Sequence, residues 1–340
     1  MEPMQDPGSD KTYKVQRKTN PYPRILADIG GTNVRFALEQ ADGRFEAVFV
    51  QPLKNFVSIS QALSAYLADP IALRANVMQA SWAAFAMACP IDGDDVKMTN
   101  ANWSFSIEAL QQEFGFEKLR VVNDFTALAM SIPRFTNDQV RQVGGGAAKR
   151  HAAIGLIGAG TGLGVSGLVP AKEGWLPLSS EGGHVTFSPS SEREMDILRF
   201  AWKALPHVSA ERLMSGMGIE LIYRAVSVLS GVNRDPLAAP EIVRRALTHA
   251  CPICDETLEL FCGMLGTVAG NLALTLGAQG GIYIGGGIVP RLGERFDQSC
   301  FRQRFEAKGR YAQYLGGIPT FVITMAHPTL LGVSAILQES

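Results

Sequence analysis

The chain has 340 residues, and its 31 basic and 32 acidic side chains leave a formal net charge of −1. A balance this close to zero gives no support to nucleic-acid or membrane binding. The length is sufficient for two domains, or for one two-lobed enzyme with a cleft. The cysteines do not form an even set, and the single CxxC lacks the further ligands of a zinc site, so we expect reduced cytosolic thiols at Cys89, Cys251, Cys254, Cys262 and Cys300.

Two segments bear on targeting. Residues 1–23 are polar and lack the apolar core of a signal peptide, so we expect a disordered extension. The longest uncharged run, residues 261–290, is dense in glycine and carries Asn271 and Gln279. This pattern predicts a buried helix followed by a core strand, and we expect a cytoplasmic protein without a membrane span.

Residues 24–38 read as two apolar strands joined by a tight turn at Gly30 and Gly31. A plain hairpin explains the glycines but not the polar residues gathered at its tip, which are Asp28, Thr32, Asn33 and Arg35. Backbone N–H groups of the turn and the Thr32 hydroxyl can cradle phosphate oxygens. Asp28 would then accompany a magnesium ion, held through its water shell. For Arg35, neutralising charge there and a surface role are equally open.

A strand over 45–52, a helix over 58–67, a central strand over 78–88 and a helix over 106–115 follow from the hydrophobic pattern. Between them, Asn100 lies close in sequence to Trp103, and an amide beside an aromatic ring suits a polyhydroxylated ligand as well as a plain loop. The chain then reaches its central stretch, where a β-branched strand runs into Asn123 and Asp124 and a helix begins. Asp124 is either a helix N-cap or a catalytic base.

A second strand–turn–strand unit repeats the first, with strands over 152–157 and 165–169 joined by glycines that include Gly160 and Gly162 on either side of Thr161. A strand rather than a helix follows this turn, which argues against a dinucleotide fingerprint, and no P-loop pattern occurs. Two such hairpins, each able to clasp phosphate, suggest two related lobes closing on a nucleotide. After a later strand, Gly285, Gly286 and Gly287 either lie flat against adenine or start a helix tightly.

Three more polar residues are candidates for binding hydroxyl groups. Glu181 and His184 flank two glycines, and too few further donors follow for a metal site. We interpret them as a hydrogen-bonding pair, although a lone histidine of this kind is more often structural. Glu211 follows the predicted N-cap Ser209, where a glutamate is commonly a solvated first-turn residue.

Six motifs in order resemble the bacterial glucokinase family, of the hexokinase-like, actin-type ATPase superfamily: residues 28–33, 123–127, 160–164, 180–184, 209–212 and 284–288. The resemblance runs from about Arg24 to the C-terminus. It implies an α/β, two-lobed hexokinase/actin-like (ribonuclease H-like) fold with an interlobe cleft. The expected small domain is 24–134 plus 325–340, and the large domain is 135–324.

The resemblance also implies a reaction, in which ATP with Mg²⁺ phosphorylates glucose at its 6-hydroxyl as the first step of glycolysis, in a homodimer. Asp124 would be the general base, and the sugar would be bound by Asn100, Asn123, Asp124, Glu181, His184 and Glu211. The nucleotide would be held by Asp28, Gly30, Gly31, Thr32, Asn33, Gly160, Thr161, Gly162, Gly285, Gly286 and Gly287. A kinase for another hexose and a non-catalytic sugar-binding regulator remain as alternatives.

Overall fold

The computed structural model describes residues 21–98, 101–232 and 234–338. Its strands are β1 Arg24–Ile29, β2 Asn33–Glu39, β3 Phe45–Pro52, β4 Trp82–Met87, β5 Asp95–Lys97, β6 Ser104–Ser106, β7 Lys118–Asn123, β8 Val140–Val143, β9 Ile154–Ala159, β10 Leu163–Pro170, β11 Trp175–Leu178, β12 Ile282–Gly285 and β13 Thr320–Ile323.

Its helices are α1 Ile59–Leu67, α2 Pro70–Arg74, α3 Ile107–Phe114, α4 Asp124–Ser131, α5 Glu192–Trp202, α6 Ala210–Leu213, α7 Gly216–Leu229, α8 Ala239–Leu247, α9 Pro252–Leu276, α10 Val289–Leu292, α11 Glu294–Asp297, α12 Phe301–Glu306, α13 Ala312–Gly316 and α14 Pro328–Gln338. Short 3₁₀ turns link several of these elements, and β5 and β6 form a separate two-stranded sheet.

The first main sheet has the strand order β3-β2-β1-β4-β7. Strands β1, β2 and β3 form an antiparallel meander, whereas β1, β4 and β7 are parallel. Strands β1 and β4 are almost wholly buried, as the apolar runs predict. The predicted strand over 78–88 is too long: left-handed Asn76 (φ 65°) turns the chain into a 3₁₀ turn over Val77–Gln79, so β4 begins only at Trp82.

The second sheet has the order β11-β10-β9-β12-β13-β8. Its first five strands repeat the order and directions of the first sheet, with an antiparallel meander of β9, β10 and β11 and parallel strands β9, β12 and β13. The repeated glycine hairpins of the sequence are therefore equivalent elements, β1–β2 and β9–β10, in two sheets of the same construction. Both turns emerge where the parallel strands of their sheet end.

Helices α4 and α14 pack closely against each other; α4 contacts strands of both sheets, and α14 contacts β1, β4 and β7 of the first sheet. Helix α4 follows β7 of the first sheet, yet Leu128 and Met130 pack with residues of the second sheet and α14. Helix α14 follows the second sheet, yet Leu330 and Val333 pack on the first sheet. Gly332 permits this approach, because a Cβ there would lie 1.7 Å from the carbonyl oxygen of Ala127.

Helix α9 has 25 residues and is long and apolar enough to cross a membrane by length and composition. Two-thirds (67%) of its most apolar window is buried inside the protein, where it packs against α7, α8 and α12. The helix therefore serves as the core of the second lobe.

Candidate active site

The strand-to-helix junction places two neighbouring polar side chains differently. Asn123 is the N-cap of α4: its Oδ1 accepts the N–H groups of Phe125 and Thr126 at 2.9 and 3.1 Å. Its Nδ2 donates to the carbonyl oxygen of Cys89 at 3.2 Å. The capping role considered for Asp124 thus belongs mainly to Asn123. Asp124 uses one carboxylate oxygen, Oδ1, to accept the N–H of Phe125 at 2.9 Å, and its Oδ2 makes no hydrogen bond to the backbone of α4.

The environment of Asp124 disfavours its charged form. Burial raises the pKa of this carboxyl to about 7, with further upward contributions from the charges of Asp28 and Glu181, against the lowering effect of backbone N–H groups. A carboxyl with a pKa near neutrality can accept a proton and release it again at physiological pH. The geometry therefore gives Asp124 the properties of a general base.

Asp28 lies on β1, in the same parallel set of strands as the end of β7. It pairs in register with Arg35 of β2, and the guanidinium Nη1 lies 2.9 Å from its Oδ2. Burial raises the pKa of Asp28, although Arg35 and His327 oppose the shift. Arg35 is thus ion-paired with Asp28, and its role toward phosphate stays a prediction.

The tip of this hairpin is built from Gly30, Gly31, Thr32 and Asn33. The N–H of Gly30 donates to the carbonyl oxygen of Asn33 at 3.0 Å, so this N–H is used within the turn. The Thr32 side chain is exposed at the tip. A cavity of about 620 Å³ adjoins Gly31 and Thr32 and is also lined by Phe56 and Trp103.

The second and third glycine segments lie together at the end of the second sheet. Gly160 donates its N–H to the carbonyl oxygen of Gly162 at 2.8 Å, and Thr161 is exposed between them. Gly286 has a φ of 81°, and a Cβ there would lie 2.3 Å from the carbonyl oxygen of Ala159. Only glycine permits this approach, which brings exposed Gly286 and Gly287 beside the Gly160 turn.

Glu211 is tied directly to the second turn, since its Oε2 accepts the N–H of Leu163 at 3.0 Å. A Cβ on Gly162 would meet the same oxygen at 2.4 Å. Glu181 is the N-cap and His184 the last residue of a 3₁₀ turn whose Gly183 packs on the carbonyl of Leu163. Both side chains are exposed, and Nε2 of His184 lies 3.9 Å from Oε2 of Glu181. The charge of Glu181 acts on Asp124.

Asn100 lies outside the described residues. Two residues of the site were missed by pattern analysis. His327, which precedes α14 with a φ of 54°, places its charge near Asp28 from the far end of the chain. Phe125 lies against the backbone of Gly158 and Gly164, where a Cβ would come within 2.8 and 2.0 Å of its ring. The only signal for Phe125 was the pair of glycines, which face each other across β9 and β10.

A sequence model of the family described as "Glucokinase" matches residues 25–340. This chain belongs to the glucokinase family. All the motifs discussed above fall inside the matched residues, and the resemblance drawn from them is confirmed.

Relatives within the glucokinase family differ in length. The chain is 54% identical over 321 residues to "Bifunctional protein glk" of Paraburkholderia xenovorans, covering 93% of this chain but 49% of that protein. The chain thus spans about half the length of the bifunctional relatives that it matches. The "Glucokinase" of Chromobacterium violaceum is 50% identical over 318 residues, with 94% of this chain and 90% of that protein covered.

A solved glucokinase structure from an Antarctic psychrotroph superposes with a TM-score of 0.83 at 37% identity, covering 93% of this chain and 99% of that one. The predicted fold class, an α/β two-lobed hexokinase/actin-like architecture, is confirmed by this likeness and by the two repeated sheets.

Proposed function

We propose that this glucokinase-family chain is a glucokinase that transfers the γ-phosphoryl group of ATP to the 6-hydroxyl of glucose, as the first step of glycolysis. The observation that carries the proposal is Asp124: a mostly buried carboxyl at the start of α4, with one oxygen uncommitted to the backbone and a pKa raised to about 7 by burial. A protein that only binds sugar has no need of such a group.

In the proposed reaction, Asp124 accepts the proton of the 6-hydroxyl while that oxygen attacks the γ-phosphorus and ADP departs. General-base assistance contributes on the order of 10²–10⁴ in rate. Most of the remaining acceleration comes from alignment of the two substrates and from neutralising charge on the phosphoryl group. Arg35 sits close enough to Asp28 to take part in setting the charge of this region.

The other sugar hydroxyls would be bound by Asn100, Asn123, Glu181, His184 and Glu211. Asn123 uses Oδ1 for the helix cap and one N–H for Cys89, which leaves its second N–H for a hydroxyl. The exposure of Glu181 and His184 leaves both side chains free to reorient toward a ligand. A sugar that lacks one hydroxyl leaves polar groups unpaired, which costs up to about 10⁴ in selectivity.

The nucleotide would lie along the three glycine segments: Asp28, Gly30, Gly31, Thr32 and Asn33; Gly160, Thr161 and Gly162; and Gly285, Gly286 and Gly287. Among the described residues no group of three His, Cys, Asp or Glu side chains can hold a metal ion. Asp28 would hold Mg²⁺ through water, because a carboxylate oxygen is a donor that this ion prefers. When bound, Mg²⁺ would neutralise charge on the phosphates.

At the scale of the whole protein, we propose a cytoplasmic homodimer whose lobes, 24–134 plus 325–340 and 135–324, close when sugar binds. Closure that assembles the site only with sugar present would protect ATP from hydrolysis by water. The packing of α14 on the first sheet supports grouping residues 325–340 with the first lobe.

A coupled assay with the purified chain tests the proposal, using glucose, mannose, glucosamine and N-acetylglucosamine with ATP, ADP or polyphosphate, with and without excess chelator. We expect glucose with ATP and Mg²⁺ to give the highest kcat/KM. Asp124→Asn should lower kcat by at least about 10² while leaving the Kd for glucose within about tenfold. The matched control is Asp138→Asn, an exposed carboxylate in a first turn.

Near-normal turnover by Asp124→Asn would remove this residue from the role of base. A preference for another hexose would leave the mechanism standing and change the substrate. Binding of glucose without turnover under every donor would instead favour a sugar-binding regulator.

A further inference from the structure

Two cysteines lie three residues apart where helix α9 begins. Cys251 is the N-cap, with extended backbone (φ −151°, ψ 111°), Pro252 occupies the first turn, and Cys254 follows in the same turn. Both residues are buried, with 2% and 0% of their surface exposed. This local geometry directs both sulfur atoms to the N-terminal end of a 25-residue helix.

The surroundings of the Cys251 sulfur favour its charged form. As the N-cap of α9 it lies at the positive end of the helix dipole, near the N–H groups of Ile253 and Cys254, and it shares this first turn with the thiol of Cys254. Nη1 of Arg234 lies 3.7 Å from the same sulfur. Every one of these groups stabilises a negative charge on Cys251.

The two thiols are consequently unlike. Burial alone would raise the pKa of Cys251, but the surrounding donors and Arg234 lower it below its ordinary value. Burial, with the sulfur of Cys251 beside it, raises the pKa of Cys254 to about 12. One sulfur is thus prepared as a nucleophile while its neighbour remains a thiol.

The other cysteines of the chain lack this asymmetry. Burial raises the pKa of Cys262 and Cys300 to about 12 and that of Cys89 to about 11. Cys262 and Cys300 also lie near each other, which makes them an internal control for proximity without activation.

We propose that Cys251 and Cys254 form a redox-active dithiol that a hydroperoxide converts to a disulfide. The Cys251 thiolate attacks one oxygen of hydrogen peroxide, the O–O bond breaks, and hydroxide leaves to give a sulfenic acid. The Cys254 sulfur then attacks the Cys251 sulfur, forming the S–S bond and releasing water. In sum, two thiols and one peroxide give one disulfide and two waters.

The surroundings suit a small oxidant rather than a protein disulfide. Cys251 is almost inaccessible itself, but Arg234, which contacts its sulfur, is exposed. Only the Arg234 side chain therefore needs to move for hydrogen peroxide to reach the Cys251 sulfur from solvent.

Mass spectrometry of the full chain tests the proposal. The protein is treated with a few equivalents of hydrogen peroxide, its free thiols are alkylated, and it is cleaved after Arg, Lys and Glu. Cleavage after Glu256 and Glu259 separates the peptide 246–256, which carries both cysteines, from the peptide that carries Cys262. We expect peptide 246–256 to be two hydrogens lighter and unalkylated, and to recover both thiols with dithiothreitol, while Cys262 and Cys300 stay alkylated.

Variants assign the two roles. In Cys254→Ser, dimedone should trap a sulfenic acid at Cys251; in Cys251→Ser, oxidation of Cys254 should be at least tenfold slower. Arg234→Gln should slow oxidation of the wild-type pair several-fold, whereas Arg244→Gln, an exposed arginine paired with Glu241, should not. Full alkylation of peptide 246–256 after treatment of the wild-type protein, or equal oxidation of Cys262 and Cys300, would overturn the proposal.

Discussion

At the end of β7, Asn123 has a structural role as the helix cap, and the adjacent Asp124 is left for the proposed chemistry. Asn123 satisfies the first N–H groups of α4, so Asp124 does not have to serve as the main cap. The carboxyl is instead left in a mostly buried site beside two other acidic groups, Asp28 and Glu181. Its raised pKa follows from that placement.

The pH dependence of turnover should report this pKa. Asp124 must be ionised to accept a proton, so kcat/KM for glucose should fall as pH drops through about 7. Glu181→Gln removes a negative charge that raises the pKa, so the midpoint should move to lower pH. A steady-state pH series checks this, and an acidic limb near pH 4 in the wild type would contradict it.

The raised pKa of Asp124 should also make the folding stability depend on pH. The folded-state pKa is raised from 3.8 to about 7, so the folded protein holds a proton that the unfolded chain has lost between these values. Ionised Asp124 therefore costs stability above pH 7 and nothing below pH 4. Asp124→Asn should raise the free energy of unfolding by on the order of 1–3 kcal/mol at pH 8 and leave it unchanged near pH 4.

Urea unfolding at both pH values, with Asp138→Asn alongside, measures this difference. An equal effect of Asp124→Asn at pH 4 and pH 8 would show that ionisation is not the cause.

The strand-to-helix pattern marked Asp124 as either a helix N-cap or a base, and the role of base came from the resemblance to the glucokinase family. The raised pKa of Asp124 was not predictable, because it depends on burial, on Asp28 from another strand and on Glu181 from the segment that follows β11. The electrostatic effect of His327 on the pKa of Asp28 joins residues about 300 positions apart, so no local pattern predicts it.

The contact between α4 and the β9–β10 hairpin determines where Asp124 lies relative to the glycine turn at Gly160–Gly162. Phe125, the residue after Asp124, packs on Gly158 and Gly164, and the turn at Gly160–Gly162 is the tip of the same hairpin. The ring therefore links the position of the base to the proposed phosphate site.

Gly164→Ala should disturb this link. A Cβ would lie 2.0 Å from the Phe125 ring, so the ring must move, at a cost of about 1–3 kcal/mol in the free energy of unfolding. We expect kcat to fall more than the affinity for glucose. Phe125→Leu in the same chain should recover part of both losses, and Gly145→Ala, which has no neighbour within 4 Å, is the control. Additive effects of the two substitutions would argue against the contact.

Gly332→Ala tests the α4–α14 contact. Alanine in a helix interior is ordinarily better than glycine by about 0.5–1 kcal/mol. Here the new Cβ would lie 1.7 Å from a backbone carbonyl oxygen that cannot rotate away, so a net loss of about 2 kcal/mol or more is expected. Gly316→Ala in α13, whose nearest atom is 3.9 Å away, should be neutral or slightly stabilising in the same unfolding experiment.

Most strands and long helices were predictable because apolar periodicity and capping residues agree locally. Ser58 and Ser106, where two of the predicted helices begin, are the N-caps of α1 and α3. The start of β4 was missed because a single left-handed asparagine ends the preceding segment, and nothing in the apolar run marks it. The close contact of Gly332 with α4 could not be predicted, because it joins two helices that are distant in sequence.

For the whole molecule, five strands of each sheet follow the same order, and α4, which packs against α14, contacts both sheets. The sequence indicated the duplication through its two glycine hairpins, whereas the crossing of α4 and α14 between the sheets depends on contacts distant in sequence. If the lobes close on sugar, small-angle scattering should show a smaller radius of gyration with glucose than with a non-substrate sugar. No change at saturating glucose would contradict closure.

The crossing of α14 also has a consequence for synthesis on the ribosome. Leu26, Ala37, Ala84 and Ala86 belong to early strands, yet the side chains that cover them come from residues 328–338. During translation this apolar surface stays exposed to solvent until residues 328–338 have emerged, long after the strands that form it. Holdase chaperones should therefore bind nascent chains up to that point, and ribosomes stalled before codon 328 should display a first sheet that proteases still cut.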